Sequence, residues 1–505
     1  MIKEICAERT WVYPAHDSQL KNFKGTAIEI DLGSSQCAWE MATLDFLLAD
    51  KLSAATRALI RENLQRRIFK PYRDGVEGRR EEQHWARATH NWNAVCHAGV
   101  VGAALAALDS PEERAWFIVS GQFYLRNFLN GFGSDGYCSE GLGYWNYGFG
   151  RYVMLAETVR EATGGQIDFL ADPAAQLAAR FGQRAEIWND IYPSIADCHP
   201  GSKPDLQLAA FLDRRLNFNP ASEAKENFVR PAGSLAITML FSFLPENLPR
   251  ISAAAALPAE SPLRTWFSEG GVLICRPAPK TKIPFAVSLK GGNNAEHHNH
   301  NDVGSFIVVA GNSMVIADPG SEVYTARTFG SRRYESDVLN SFGHDVPVIG
   351  GKLQSPGAKA HAEVLRTNFT DAEDTLALDL KSAYAETNLT RLDRTFIYHR
   401  GNEPSLTVRD EVEFTKLKSF ETALVTWSKW ERISANELLL TDEVGGGVRV
   451  KVDTGGIPLV IKSKQLEADV STPKKATRIG LALKKPVTKA RIVLTITPVL
   501  SRTTN

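Results

Sequence analysis

The hydrophobic period of the chain changes near its middle, and this change restricts the folds available to it. In residues 38–70 apolar side chains recur three and four positions apart, as in amphipathic helices, and similar segments follow up to residue 186. From about residue 265, apolar and polar side chains alternate in short runs such as PFAVSLK and RTFIYHR, which is typical of antiparallel strands. We therefore predict an α+β protein in which helices precede a large antiparallel β domain.

The chain is long enough for more than one hydrophobic core. It has 505 residues, and domains usually hold about 100–200 residues. We place a helical domain at 1–250 and a β domain at 251–505. The AAAALPAESP segment at 253–262 has the composition of a short linker within the junction.

Charge and hydropathy exclude several functional classes. The chain has 58 basic and 58 acidic side chains, so it lacks the basic excess of a general nucleic-acid or membrane-surface binder. It contains no apolar run of the length, about 18 residues, that a membrane-spanning helix needs. The first residues show no secretory signal, so we expect a cytoplasmic protein, or a periplasmic one if a signal peptide has been removed.

A histidine-rich segment, EHHNHND at 296–302, precedes a strongly apolar run. In an extended chain His298, His300 and Asp302 would share one face. His300 together with Asp318 and His344 would give two nitrogen ligands and one oxygen ligand for a zinc ion or another divalent metal. The alternative is a polar loop that forms hydrogen bonds within itself.

Two further segments concentrate polar and aromatic side chains in the helical half. In THNWNAVCHAGVVGAALAAL at 89–108, helical spacing places His90, Asn93 and His97 on one face. These groups either line a cavity or form a hydrogen-bonded core network. In GFGSDGYCSEGLGYWNYGFGRY at 131–152, glycines accompany tyrosines and tryptophan, which suits either a bound sugar ring or simple packing.

Taken together, these segments resemble the heparinase II/III-like polysaccharide lyases, including the oligo-alginate lyases. The resemblance lies in HNWNAVCHAG at 90–99, SDGYCSEGLGYWNYG at 134–148, HHNHNDVGSFIVVAGNSMVIADPG at 297–320 and NSFGHDVPVIGGKLQ at 340–354. It implies an (α/α) toroid followed by antiparallel β-sheets. It also implies β-elimination at a uronic acid of an acidic oligosaccharide or polysaccharide, such as alginate or a glycosaminoglycan.

The resemblance also implies roles for particular residues. Tyr144 would be the catalytic base and acid, His90 would contact the sugar carboxylate, and His298 would reach the site from the β domain. Zinc, as a structural brace, would be held by His300, Asp318 and His344. The expected secondary and substrate contacts are Asn91, Asn93, His97, Glu140, Tyr147, Arg151, Tyr324, Arg332, Arg333 and Tyr334.

Several alternatives stay open on these residues. Asn91 or Asn93 could hold the carboxylate in place of His90, Tyr147 could replace Tyr144, and His97 could be a core group. A glycoside hydrolase would need two facing carboxylates, for which Glu140 is the evident candidate, and a carbohydrate-binding protein would need no catalytic set. A homodimer is also left open.

Overall fold

The helices lie in the N-terminal part of the chain and antiparallel strands follow, as the sequence predicts. The computed structural model describes residues 1–218, 262–279, 281, 284–443 and 446–499. Within them, the α+β class of the prediction is confirmed. None of the helices in these ranges has the length and apolar character needed to cross a bilayer.

The chain forms two compact units whose segments alternate along the sequence. The helical unit contains Met1–Cys138, Tyr144–Phe181 and the segment that begins at Pro204. The β unit contains Ser139–Gly143, Gly182–Lys203 and the described chain from residue 262 onward. The predicted boundary at 250/251 and most of the predicted linker at 253–262 lie outside the described residues.

The described helices vary in length from single turns to twenty residues. In chain order, α1–α11 are Ile2–Ala7, Leu32–Leu48, Ala54–Leu64, Lys70–Val76, Asn91–Ala107, Pro111–Asn130, Gly141–Tyr144, Gly150–Ala162, Pro173–Ala179, Phe181–Arg184 and Leu206–Leu216. Two π-helical turns, Gln65–Phe69 and Trp145–Phe149, each join two consecutive helices.

Small residues allow helices α2 and α5 to pack closely in the helical unit. A Cβ atom on Gly99 would lie 2.3 Å from the Ser35 carbonyl oxygen, and one on Gly102 would lie 2.3 Å from the Trp39 ring. Alanine therefore cannot replace either glycine without moving backbone or a buried ring. This contact fixes the start of α5, which follows His90, relative to the start of α2.

The described strands all lie in the β unit and pair antiparallel. In chain order, β1–β19 are Arg264–Phe267, Val272–Cys275, Phe285–Lys290, Asn293–Asn294, Phe306–Ala310, Ser313–Ile316, Val348–Ile349, Gly357–His361, Glu363–Phe369, Glu373–Asp379, Leu389–His399, Ser405–Lys418, Phe420–Thr426, Lys429–Ser434, Glu437–Thr441, Gly447–Asp453, Leu459–Gln465, Thr477–Leu483 and Val487–Val499.

These strands form three main sheets, with orders β1-β2-β3-β5-β6, β14-β15-β16-β19-β12-β11-β10-β9 and β17-β18-β13-β7, and a small β4-β8 pair. Strands β11 and β12 alternate buried and partly exposed residues, as expected when one sheet face covers the core. Strands β3 and β5 are buried along their whole length. The loops before and after β5 and β6 carry the histidine-rich segment and Asp318.

Candidate active site

The histidine-rich segment is a turn and not the extended strand that the sequence predicts. Strand β4 ends at Asn294 and β5 begins only at Phe306, with turns and bends between them. His298 has φ +57°, in the left-handed region that residues other than glycine rarely occupy. The alternation of side chains that would put His298, His300 and Asp302 on one face therefore does not hold in this segment. Strained backbone of this kind is frequent at functional sites.

Lys290, Asp302 and Glu296 form a buried ion cluster within and beside this turn. The Lys290 ammonium lies 2.5 Å from the Asp302 carboxylate and 3.8 Å from that of Glu296. Burial, together with the charge of Asp302, raises the pKa of Glu296 to about 7 against the opposing effect of Lys290. One oxygen of the Asp302 carboxylate is thus occupied by Lys290.

Asp197 is the centre of the site in the β unit, and its side chain is fully buried. It belongs to the Gly182–Lys203 segment. Its Oδ2 lies 2.9 Å from His298 Nδ1 and accepts a hydrogen bond from the Tyr324 hydroxyl at 3.1 Å. Its Oδ1 lies 3.0 Å from His300 Nε2 and 2.8 Å from Arg333 Nη2. One carboxylate therefore orients four polar side chains.

The charge balance keeps Asp197 ionised. Burial alone would raise the pKa of this carboxyl, but hydrogen bonds from His298 and His300 and the charge of Arg333 hold it far below its ordinary value. Because an ionised carboxylate only accepts hydrogen bonds, His298 Nδ1 and His300 Nε2 must each donate. Each of these two nitrogens therefore carries a proton.

The Asp197 segment is held in place by the turn that follows β6. Ser194 Oγ donates to the Asp318 carbonyl oxygen at 2.8 Å. A Cβ atom on Gly320, which has φ +64°, would lie 2.4 Å from the Cys198 carbonyl oxygen. Ala196, directly before Asp197, also has a left-handed φ of +59°. Close backbone packing therefore aims Asp197 at the histidines.

The second nitrogen of His298 faces less buried surroundings. His298 Nε2 lies 3.5 Å from Glu140 Oε1, and 14% of the side chain is exposed. The ring of Phe329, which is 66% exposed, lies edge-on to His298 with centroids 6.2 Å apart. Tyr324 is 41% exposed and packs edge-on against Phe329 at 4.8 Å. His298 is thus the imidazole of this cluster that a ligand can reach.

His300, Asp318 and His344 converge as the sequence predicts. One ligand atom from each lies within 4.8 Å of the others, and all three residues are buried. His300 Nε2 donates to Asp197, and His344 Nδ1 lies 3.0 Å from Asp318 Oδ2.

The other ring nitrogens, His300 Nδ1 and His344 Nε2, are buried and have no hydrogen-bond partner among the described residues. Buried polar nitrogens are costly unless a water molecule or an ion pairs with them. A histidine that binds a metal through one ring nitrogen usually donates its other ring N–H to a carboxylate, as His300 does to Asp197. These three residues therefore fit a divalent metal ion.

Tyr144 and His90 lie in the helical unit at the ends of helices. Tyr144 is the last residue of α7 and is half-buried. His90 is half-buried and directly precedes α5, with an extended backbone of φ −124° and ψ 179°. Asn91, the first residue of α5, is only 1% exposed. A Cβ atom on Gly148 would lie 2.9 Å from Asn91 Cβ, so the π-helical turn packs directly on the start of α5.

Tyr147 and Arg151 form a polar group with Gln36, which the sequence reasoning missed. Gln36 Nε2 donates to the Tyr147 hydroxyl at 3.0 Å, and Arg151 Nη2 donates to Gln36 Oε1 at 2.8 Å. Burial raises the pKa of Tyr147 well above its ordinary value, so its phenol stays protonated. Gln36 is one residue on α2, and nothing in its sequence context distinguishes it.

Asn93 and His97 do not face a cleft, and the structure corrects both assignments. The Asn93 amide donates to the Ala86 carbonyl at 2.7 Å, and the residue has no exposed surface. His97 is fully buried, with Trp85 edge-on at 4.9 Å and Tyr124 stacked at 5.4 Å. Both are core groups of the helical unit, the alternative that the sequence left open.

The other two predicted substrate contacts of the 324–334 segment have different partners. Arg332 is 70% exposed and pairs with Glu335 at 2.7 Å. The Tyr334 hydroxyl accepts a hydrogen bond from Asn299 Nδ2 at 3.2 Å. Adjacent side chains on a turn point in different directions, so only Arg333 and Tyr324 of this segment reach Asp197.

Comparison with known proteins identifies the β unit. The profile of the Heparinase II/III-like, C-terminal family matches residues 259–496. Residues 259–496 therefore belong to the heparinase II/III-like family. Glu140 and the 182–203 segment, which contains Asp197, lie outside this match, although they are part of the same compact unit as the heparinase II/III-like domain. No curated protein matches the sequence closely enough to count as a relative.

Solved structures share the fold over most of the chain. A heparinase III with methylated lysines aligns at a TM-score of 0.68 and 14% identity, covering 93% of this chain and 67% of its own. A second heparinase III structure aligns at a TM-score of 0.66 and 12% identity, covering 96% of this chain and 74% of its own. A mutant heparan sulfate lyase from Pedobacter heparinus aligns at 0.61 and 13%, covering 88% of this chain and 63% of the lyase. At these identities the likeness establishes the fold, and this chain spans roughly two thirds of the length of these enzymes.

Proposed function

We propose that the protein is a polysaccharide lyase that cleaves uronic-acid glycans by β-elimination. The observation that carries the proposal is His298, a partly exposed imidazole fixed by a buried carboxylate within a heparinase II/III-like domain. An imidazole with a defined proton position suits contact with a reacting acid group. The printed descriptions of the structural neighbours, heparinase III and heparan sulfate lyase, support the same class.

The chemistry explains which side chains such a site needs. The proton on carbon 5 of a uronate is weakly acidic, and neutralising the adjacent carboxylate by hydrogen-bond donors makes it removable. A base takes this proton, and the electron pair forms the double bond between carbons 4 and 5. The bond from carbon 4 to the glycosidic oxygen breaks, and that oxygen receives a proton. No water is consumed.

We assign the proton transfers to Tyr144, which resembles the family's tyrosine in position and context. His90 and Asn91 are the proposed donors to the carboxylate, and His298, whose Nδ1 proton is engaged by Asp197, would donate from Nε2 in its doubly protonated form. Tyr147 is the weaker candidate for the base because Gln36 donates to its hydroxyl and burial raises its pKa.

Arg151 is proposed to attract the anionic sugar. Its guanidinium contacts the neutral Gln36 side chain at 2.8 Å and the Met154 sulfur at 3.9 Å. Burial lowers the pKa of Arg151, and the nearby Tyr147, Glu40 and Tyr13 offset only part of this effect. A partly buried cation with neutral hydrogen-bond partners favours an incoming carboxylate or sulfate. Arg333, in contrast, is already neutralised by Asp197.

We propose zinc as the ion that His300, Asp318 and His344 would hold. Two nitrogen ligands and one carboxylate, completed by another group, are a usual zinc set. When bound, the ion would supply positive charge and brace the turn that carries His298. His300 and His298 share the Asp197 carboxylate, so order at the metal would be transmitted to the catalytic imidazole.

Replacing His300 by alanine is expected to lower both metal content and thermal stability. The metal stabilises the folded chain only when the ligand set is complete. Elemental analysis should fall from about one ion per chain to near none, and the melting temperature should fall with it. His361→Ala, an exposed histidine of β8, is the matched control and should change neither quantity. A variant that keeps its metal would remove the assignment.

Two other functions are separated from the lyase by one assay. A glycoside hydrolase needs two facing carboxylates, and the two nearest His298 are Glu140 and Asp197, of which Asp197 is buried and fully paired. A carbohydrate-binding protein needs none of the proposed chemistry.

Incubation with alginate, hyaluronan, chondroitin and heparan oligosaccharides should give ultraviolet absorbance from an unsaturated uronate with one of them. New reducing ends without absorbance would indicate a hydrolase, and no product would indicate a binding protein.

A further inference from the structure

Four aromatic rings of the helical unit lie in a continuous row. The His16 ring lies between Tyr13, at 5.7 Å, and Trp92, at 4.6 Å, measured between ring centroids. His84 continues the row at 5.1 Å from Trp92. Tyr13 is 49% exposed, His84 is exposed, and Trp92 is partly exposed. Tyr13 and His84, at the two ends of the row, thus present ring surface to solvent.

One buried carboxylate holds the end of the row formed by Tyr13 and His16. Asp31 Oδ2 lies 2.6 Å from His16 Nδ1 and accepts the backbone amide of Tyr13 at 3.0 Å. Its other oxygen caps helix α2 by accepting the Ser34 amide at 2.8 Å. The short 3₁₀ turn Pro14–His16 is therefore fixed to the start of α2. Side chains that are ordered before binding lose little conformational entropy when a ligand binds.

The row begins beside the proposed sugar-binding group of Tyr147 and Arg151. The Tyr13 ring lies against Gly33, where a Cβ atom would be 2.7 Å from it, one turn before Gln36 on α2. Gln36 in turn bonds both Tyr147 and Arg151. The Tyr13 phenol is near enough to raise the pKa of both residues. These contacts all lie within the helical unit.

We propose that Tyr13, His16, Trp92 and His84 form a subsite for a sugar ring adjacent to the uronate bound by Arg151. The apolar C–H face of a pyranose ring packs on aromatic faces, as other apolar groups do. His16 Nε2, the nitrogen not used by Asp31, is available to a sugar hydroxyl. The proposal rests on the proposed function, because it names part of the substrate of the same site, and it implies a preference for longer oligosaccharides.

The test compares two ligand lengths in variants of the row. The probes are the disaccharide and tetrasaccharide of heparan sulfate, alginate, hyaluronan and chondroitin, and binding is measured by calorimetry in a Tyr144→Phe background. For the glycan that binds, Tyr13→Ala combined with His84→Ala should weaken tetrasaccharide affinity about tenfold, as expected for the loss of two ring contacts. Disaccharide affinity should stay the same.

Two further variants make the result specific. Trp92 packs partly into the core, so Trp92→Phe, which keeps a ring there, should give a smaller tetrasaccharide effect without loss of folding. Phe46→Ala, at a 66% exposed aromatic of α2, is the matched control and should change no affinity. Equal loss for both ligand lengths, or no loss for either, would overturn the subsite. If the unsubstituted protein forms no unsaturated product from any of the four glycans, that result would instead count against the lyase, while length-dependent binding would still support the subsite.

Discussion

Tyr144→Phe is expected to abolish turnover and leave substrate binding largely intact. The substitution removes the hydroxyl that would accept the carbon 5 proton and later donate to the leaving oxygen, but it keeps the ring. A single general acid–base group contributes about 10²–10⁴-fold to rate, and we expect the loss to be at the upper end because one hydroxyl serves both transfers. Initial rates of ultraviolet absorbance and calorimetric affinity for the same oligosaccharide measure the two effects.

Tyr147→Phe is the matched control for this experiment. Tyr147 lies three positions after Tyr144, and the substitution removes a hydroxyl that accepts a hydrogen bond from Gln36. Burial raises the pKa of this phenol, so it resists ionisation. We expect a modest loss of activity, through a less ordered Arg151, and no change of mechanism. If Tyr144→Phe retained near-normal turnover while Tyr147→Phe did not, the role of the base would move to Tyr147.

Asp197→Ala is expected to cause the largest loss of stability among the site variants. It would leave Arg333, His298 and His300 without their common acceptor in a buried position. Removing one partner from a buried charge pair costs about 3–5 kcal/mol. Denaturant unfolding should report a loss of this size, together with a severe loss of activity.

Two companion variants separate charge from general disruption. Asp197→Asn keeps the size and one acceptor oxygen, so it should retain part of the stability. Asp190→Asn lies in the same segment, suits the left-handed φ of +63° at this position and removes the charge of an exposed pair with Lys203, which should cost about 0–1 kcal/mol. Equal stability losses in Asp190→Asn and Asp197→Ala would contradict the central place of Asp197.

The fold class could be predicted because periodicity reports which face of an element is buried. The alternation in RTFIYHR corresponds to β11, where buried and partly exposed residues alternate as expected. The helical spacing after residue 90 corresponds to α5. The same logic failed at 296–302, because a left-handed residue at His298 turns the chain and no period of two survives there.

Part of the candidate site was accessible from sequence and part was not. The His300, Asp318 and His344 set could be proposed since metal ligands are few in kind and their spacing is informative. Asp197 could not, because it is an ordinary Asp in YPSIADCHP that becomes central only when the 182–203 segment joins the β unit. Conversely, Asn93 and His97 share a helix face with His90 in sequence, but that face packs into the core.

The central claim is that the glycosidic bond breaks by elimination and not by addition of water. The most direct measurement is cleavage of the preferred oligosaccharide in water labelled with oxygen-18, followed by mass spectrometry of both products. The account predicts that the product masses sum to the substrate mass, with one unsaturated uronate end and no label in either fragment. Incorporation of labelled oxygen at the cleaved bond would contradict it.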